Sequence, residues 1–79
     1  MILDELRSVV RDRIERGLLP RDKCQVTWFG RGSGQSCVAC DAVIEPAEIE
    51  VECEHPRGDL LRFHQACFGI WDELRQQET

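Results

Sequence analysis

The chain has 79 residues and a formal net charge of −5, with 42% hydrophobic and 32% charged residues and five cysteines. This length fits one small domain, and the composition argues against a disordered or fibrous chain. No apolar stretch approaches 18 residues, so no membrane span is expected. Because so short a chain buries only about 60% of its unfolded surface, its cysteines suggest a cross-link or a metal.

The charge is unevenly distributed along the chain. Residues 1–35 carry seven Lys/Arg against five Asp/Glu, whereas residues 36–79 carry three against ten. A protein that neutralises phosphates needs a dense basic patch, so the composition argues against nucleic acid as a partner. Asp4 and Glu5 interrupt the N-terminal apolar run, unlike a secretory signal. We therefore expect a cytoplasmic location, where paired cysteines bind metal more often than they form disulfides.

An amphipathic helix is predicted over residues 2–16. Apolar side chains recur at spacings of three and four residues, and the set is Leu3, Leu6, Val10, Ile14 and Leu18, widened by Ile2 and Val9. Gly17 is placed to end the helix, and Pro20 follows it. The apolar stripe of this segment, residues 1–19, is expected to pack against the C-terminal helix and the tryptophans. A homodimer seam or a partner-binding face is the alternative.

Residues 20–36 are expected to form a connector. Its apolar patch of Val26, Trp28 and Phe29 is predicted to cover a small core. The run Gly30-Arg31-Gly32-Ser33-Gly34 could suggest a phosphate-binding loop. However, no buried strand precedes this run and no helix with a Lys-Ser/Thr pair follows it. We interpret it as a flexible loop.

The strict polar–apolar alternation over residues 48–54 predicts a strand. Ile49, Val51 and Cys53 share one face, and the other face carries a glutamate row, defined as Glu48, Glu50, Glu52 and Glu54. Turn residues at 56–59 and an apolar run at 60–63 complete an antiparallel hairpin. The glutamate row is expected to be a solvated face, or alternatively a docking surface for a basic partner.

The C-terminal segment, from about residue 64 to 77, is predicted to be a helix. Cys67, Ile70, Trp71 and Leu74 keep helical spacing, with polar residues between them. Together these elements predict an α+β domain: an N-terminal helix, then a zinc finger over residues 37–77 that contains a knuckle, a hairpin and a helix.

Two short ligand pairs indicate a metal site. Cys37 and Cys40 are separated by two residues in a tight turn, and His64 and Cys67 have the same spacing at the start of a helix. Zinc prefers four such ligands in a tetrahedron, and each pair can contribute two. Four protein ligands leave no open coordination position, which is typical of a structural zinc ion.

The interval between the two pairs makes the pattern more specific. The pattern resembles the first zinc module of a LIM domain: Cys-x2-Cys is followed by 23 residues and then by His-x2-Cys. Phe63 before the histidine and Phe68 after the cysteine strengthen the resemblance. The resemblance covers residues 37–71. A LIM domain continues with a second zinc module, which is missing here, so the chain is similar to half of one or to a single treble-clef-like finger. The resemblance implies a protein-interaction module.

Alternatives remain at three positions. Cys53 or His55 could replace His64 as the fourth ligand, although Cys53 is expected to pack near the site without coordinating. Cys24 is expected to be a small buried hydrophobe, with a reactive or redox thiol as the alternative. A disulfide is not expected in a reducing compartment.

The sequence favours a non-catalytic structural-zinc module that binds an unidentified protein, as a monomer or as a homodimer through the N-terminal helix. A thiol-based redox or metal sensor is the alternative, and a nucleic-acid-binding finger ranks below both. An enzyme is not expected, because His55 is the only histidine outside the proposed site, tyrosine is absent and no Ser/His/Asp arrangement stands out.

Overall fold

The computed structural model describes residues 2–77, so Met1 of the predicted N-terminal segment lies outside it. The element order is helix α1 (Leu3–Glu15), strand β1 (Val26–Arg31), strand β2 (Ile49–Glu54), strand β3 (Leu60–His64) and helix α2 (Gln65–Leu74). The expected α+β class and both predicted helices are confirmed. Within residues 2–77, each helix is too short or too polar to cross a membrane.

The three strands form one antiparallel sheet in the order β1-β2-β3, with β2 in the centre. Residues directly opposite each other in adjacent strands share a face. Phe29, Val51 and Phe63 form a row on one face, which we call the inner face because helix α2 packs against it. Trp28 and Glu52 lie on the opposite, open face.

The core lies between the inner face, helix α2 and helix α1. The rings of Phe63 and Trp71 stack with their centroids 5.0 Å apart. The indole N–H of Trp71 donates a hydrogen bond to the Pro20 carbonyl at 2.9 Å, so this buried polar group is satisfied. From α1, Val10 and Ile14 are buried in the same cluster. The predicted packing of the first helix against the C-terminal helix is therefore confirmed. The prediction was wrong for Trp28, which lies exposed on the open face of the sheet.

The apolar stripe of α1 is only partly buried, which corrects the prediction. Ile2, Leu3 and Leu18 are more than 60% exposed, while Leu19 is buried instead. The chain leaves the helix at Gly17, whose φ of 76° lies in the left-handed region that favours glycine. Both Leu18 N–H and Leu19 N–H then donate to the Arg13 carbonyl, so the chain turns Leu19 inward and Leu18 outward.

The predicted connector contains strand β1, which sequence reasoning missed. Trp28 and Phe29 were expected to cover the core, but they are 47% and 61% exposed. The glycine run is also not a free loop. A Cβ at Gly32 would lie 1.9 Å from the Glu45 carbonyl oxygen, so only glycine allows this close approach.

The glutamate row is not uniformly solvated. Glu50 is only 3% exposed, and its carboxylate accepts hydrogen bonds from the Ser33 N–H at 3.1 Å and the Ser33 hydroxyl at 2.6 Å. Arg62 Nε lies 3.5 Å from the other oxygen. The loop after β1 therefore folds over Glu50. Of the other members of the row, Glu48 is exposed just before β2, and Glu52 and Glu54 are half-buried on the open face.

A disulfide joins Cys24 and Cys53, which corrects the expectation that both are unpaired. The Gln25 N–H donates to the Glu54 carbonyl at 2.8 Å, and this contact at the start of β1 brings Cys24 beside Cys53. The two Cα atoms lie 5.4 Å apart, within the usual range for a disulfide. Cys53 thus takes no part in the metal cluster described below.

Candidate metal centre

A tight turn holds the first pair of candidate ligands. The Cys37 N–H donates to the Ala42 carbonyl, and the Asp41 N–H donates to the Cys37 carbonyl, both at 2.8 Å. Asp41 closes the turn with a φ of 69°, a conformation that aspartate tolerates better than most residues. The Cys37 and Cys40 thiols therefore lie close together on one side of the turn.

The second pair lies where β3 meets α2. His64 is the last residue of β3 and the N-cap of α2, and Cys67 follows within the first helical turn. The His64 backbone N–H points at the Cys37 sulfur at 3.4 Å, and the Val38 N–H donates to the Arg62 carbonyl at 2.8 Å. These contacts fix the turn of residues 37–42, which we call the knuckle, against the end of the hairpin of β2 and β3.

The donor atoms of Cys37, Cys40, His64 and Cys67 all lie within 4.8 Å of one another. His64 Nδ1 is 3.4 Å from Cys40 Sγ and 3.9 Å from Cys67 Sγ. Usual zinc bond lengths give tetrahedral edges of about 3.5 Å between nitrogen and sulfur and about 3.8 Å between two sulfurs. The residues therefore fit a tetrahedral metal ion, and this Cys3His cluster could hold one.

The orientation of the His64 ring is set by its second nitrogen. Nε2 lies 3.1 Å from the Val43 carbonyl oxygen and 3.5 Å from Glu48 Oε1. A carbonyl only accepts, so Nε2 carries the proton and donates it. This leaves the Nδ1 lone pair facing the three sulfurs, the arrangement that metal-ligating histidines commonly have.

The pKa values of the cluster reflect one shared negative charge. The hydrogen bond from the Cys67 thiol lowers the pKa of Cys37 to about 4, outweighing burial, and backbone N–H groups assist. That same hydrogen bond, with burial, strongly raises the pKa of Cys67, and burial raises the pKa of Cys40. Burial opposes protonation of His64, but the nearby Cys37 thiolate raises its pKa overall. The hydrogen bond between the two sulfurs thus favours ionisation of Cys37 over that of Cys67.

Arg13 of α1 links the first helix to this cluster. Its Nη1 donates to the Val38 carbonyl at 3.1 Å and to Asp41 Oδ1 at 3.2 Å, and its Nη2 bonds Asp41 Oδ2. The guanidinium thus holds the knuckle from both sides of Cys40. Three thiolates and a neutral imidazole around a divalent metal ion leave a net charge of about −1. The positive charge of the Arg13 guanidinium can offset it.

We expect Arg13→Gln to weaken zinc affinity about tenfold, because the variant loses both the knuckle contact and the compensating charge. Arg11→Gln is the matched control, since Arg11 is an exposed residue of the same helix. Competition between each protein and a chromophoric zinc chelator measures the affinity. Equal affinities for the two variants would show that Arg13 has no influence on the centre.

All four sequence-predicted ligands lie in this cluster, and the two alternative ligands lie elsewhere. His55 is buried, with Nε2 at 2.9 Å from Asp22 Oδ2 and Nδ1 accepting the Arg57 N–H. Sequence reasoning missed the contributions of Arg13 and the Val43 carbonyl. The net negative charge of a Cys3His zinc site was a signal that a cation should lie nearby, but spacing alone could not identify it.

Comparisons of this chain with protein-family models, with curated proteins and with solved structures find no match. The fold and the cluster thus define a small α+β protein with a candidate Cys3His metal centre.

Proposed function

We propose that the protein is a non-catalytic module in which one structural zinc ion fixes a surface that binds another protein. The observation that carries the proposal is the closed Cys3His cluster, because it joins the knuckle, the end of β3 and the start of α2. The resemblance of residues 37–71 to the first zinc module of a LIM domain supports an interaction role.

The composition of the cluster supports a structural rather than a catalytic ion. The chain supplies all four donors, so a tetrahedral ion has no position left for water or substrate. Cys37 and Cys67 are buried, and the His64 side chain is only 15% exposed. Three cysteines and one histidine are also the ligand chemistry of structural zinc sites.

The open face of the sheet is the surface best suited to a protein partner. Val26 and Trp28 of β1 are 43% and 47% exposed and lie directly opposite Glu54 and Glu52. Aromatic residues are enriched in interfaces, and an acidic rim around them favours a basic partner. Of the glutamate row that the sequence suggested as a docking surface, this surface keeps Glu52 and Glu54 and excludes the buried Glu50.

The test is affinity capture from an extract of the native organism with the zinc-loaded chain. The double variant Glu52→Lys, Glu54→Lys should lose a partner that the wild type retains. The control Glu5→Lys, Glu15→Lys makes the same charge change on exposed positions of α1 and should retain it. A partner that binds all three proteins equally, or capture that is unchanged after chelation, would contradict the proposal.

A thiol-based redox sensor is the second candidate, and the Cys24–Cys53 disulfide is the observation that favours it. In a reducing cytoplasm such a bond is usually transient and redox-sensing, whereas in an oxidising compartment it is structural. The test is the rate of zinc exchange before and after reduction of this disulfide. A faster rate after reduction would favour the sensor, and an unchanged rate would favour the interaction module.

A further inference from the structure

Strand β1 is an edge strand with an unusually apolar surface. The sheet order places it at one side of β2, and residues 2–77 provide no strand beyond it. Edge strands are normally protected by lysine, proline or a bulge. Residues 26–30 contain no charged residue and no proline, and they include the exposed Trp28 and Phe29.

The hydrogen-bonding direction of β1 follows from its register. Gly32 N–H donates to the Glu48 carbonyl, and the pairing continues through Trp28 opposite Glu52. In an antiparallel pair, alternate residues bond to the same neighbour. The even-numbered residues of β1 therefore face β2, and the backbone groups of Thr27, Phe29 and Arg31 point to the free edge.

We propose that a second copy of this chain pairs with β1 along this edge, antiparallel and centred on Phe29. Phe29 then lies opposite the partner's Phe29, and Thr27 lies opposite the partner's Arg31. This register engages every outward-pointing residue of both strands. A shift by two residues in either direction leaves one of them unpaired on each copy.

The side chains fit the same register. Trp28 lies opposite the partner's Gly30, in a closely spaced pair whose Cα atoms are about 4.5 Å apart. A Cβ added at Gly30 would meet nothing within 4 Å, so the space above this glycine is open to the indole. An aromatic ring across from a strand glycine is a favourable pair. The contact occurs twice, once on each side of the two-fold axis.

Charge is compatible with this partner. Arg31 is the only charged residue of β1, and the register places it opposite threonine rather than opposite its own copy. The pairing forms a continuous six-stranded sheet in which the open faces of both copies lie on the same side. The inference goes beyond the proposed function. Both involve Trp28, but the dimer depends on the free edge of β1, whereas the proposed partner surface depends on Glu52 and Glu54.

Sedimentation velocity of the full zinc-loaded chain over a concentration series tests the proposal. The wild type should show a monomer–dimer equilibrium. Phe29→Pro removes one outward N–H, and Trp28→Lys removes the indole and adds a charge. Each variant should weaken the dimer at least tenfold. Leu3→Lys is the matched control, because Leu3 is an exposed apolar residue of α1 and its substitution should leave the dimer unchanged.

The zinc content and the amide spectrum of each variant establish that it is folded. In a dimer mixed from labelled and unlabelled chains, a contact between the Trp28 ring and the partner's Gly30 confirms the register. A wild type that stays monomeric at the highest concentration overturns the proposal. A dimer that Leu3→Lys breaks and Trp28→Lys spares also overturns it, because the seam then lies on α1.

Discussion

Removal of zinc from the loaded protein is expected to unfold at least residues 37–71. Structural zinc contributes about 10–16 kcal/mol in zinc-finger peptides, which is as large as the whole net stability of about 5–15 kcal/mol that is typical of domains. The cluster joins two separate parts of the chain, residues 37–40 and 64–67, and Cys37 and Cys67 are themselves buried in the core. Without the ion, the knuckle is held by the Arg13 contacts, the hydrogen bond from Val38 to Arg62 and the packing of its buried side chains.

Elemental analysis should find one zinc ion per chain, and a chelator should collapse the amide chemical-shift dispersion. Acid should also release the ion, because protons compete for the thiolates. The raised pKa values of Cys40 and Cys67 mean that both thiols must lose a proton on binding, whereas Cys37, with a pKa of about 4, is already ionised at neutral pH. Zinc affinity should therefore rise with pH until both thiols are deprotonated, which titration calorimetry at several pH values measures. Buffers of different ionisation enthalpy give the number of protons released. An unchanged thermal midpoint after chelation would refute the prediction.

Deletion of residues 1–19 is expected to prevent folding even when zinc is present. The deletion removes the buried side chains of Val10, Ile14 and Leu19, and burial of each contributes about 1.5–3 kcal/mol. It also removes Arg13 from the knuckle and leaves one side of α2 without a neighbour. Such a loss is comparable with the whole stability of a small domain.

Circular dichroism and the amide spectrum of the zinc-loaded truncated chain provide the measurement. A milder variant separates packing from chain length, since Val10→Ala should lower the unfolding free energy by about 1–3 kcal/mol while Leu3→Ala, at an exposed position of the same helix, should change it by less than about 0.5 kcal/mol. A truncated chain that remains folded with zinc would show that the first helix serves a partner instead of the core.

The features that the sequence predicts correctly are those that depend on short spacing. The alternation over residues 48–54 and the helical period around Trp71 each involve side chains that are neighbours within one element, and the members of each candidate ligand pair are separated by only two residues. Such patterns can be recognised without knowing which distant segments of the chain come into contact.

The features that sequence reasoning missed depend on pairing between distant segments. Strand β1 is short, exposed and followed by glycines, and it becomes a strand because β2 offers a free edge to it. Glu50 is buried because a loop from another part of the chain supplies Ser33 to its carboxylate. The disulfide requires the register that places Cys24 beside Cys53. None of these contacts leaves a periodic trace in the sequence.

The Cys24–Cys53 bond has a consequence for how the chain recovers its metal. It closes a covalent ring that contains Cys37 and Cys40, while His64 and Cys67 lie on the tail that leaves the ring at Cys53. Two tethers then connect the first ligand pair to Cys53, one along the chain and one through the disulfide, and a single segment leads from Cys53 to His64. Parallel tethers raise the effective concentration of one pair around the other, since they limit the distance that the pairs can drift apart. After metal loss, the oxidised chain is thus kept closer to a binding-competent state, whereas in the reduced chain the 23 residues between Cys40 and His64 are not restrained by a second connection.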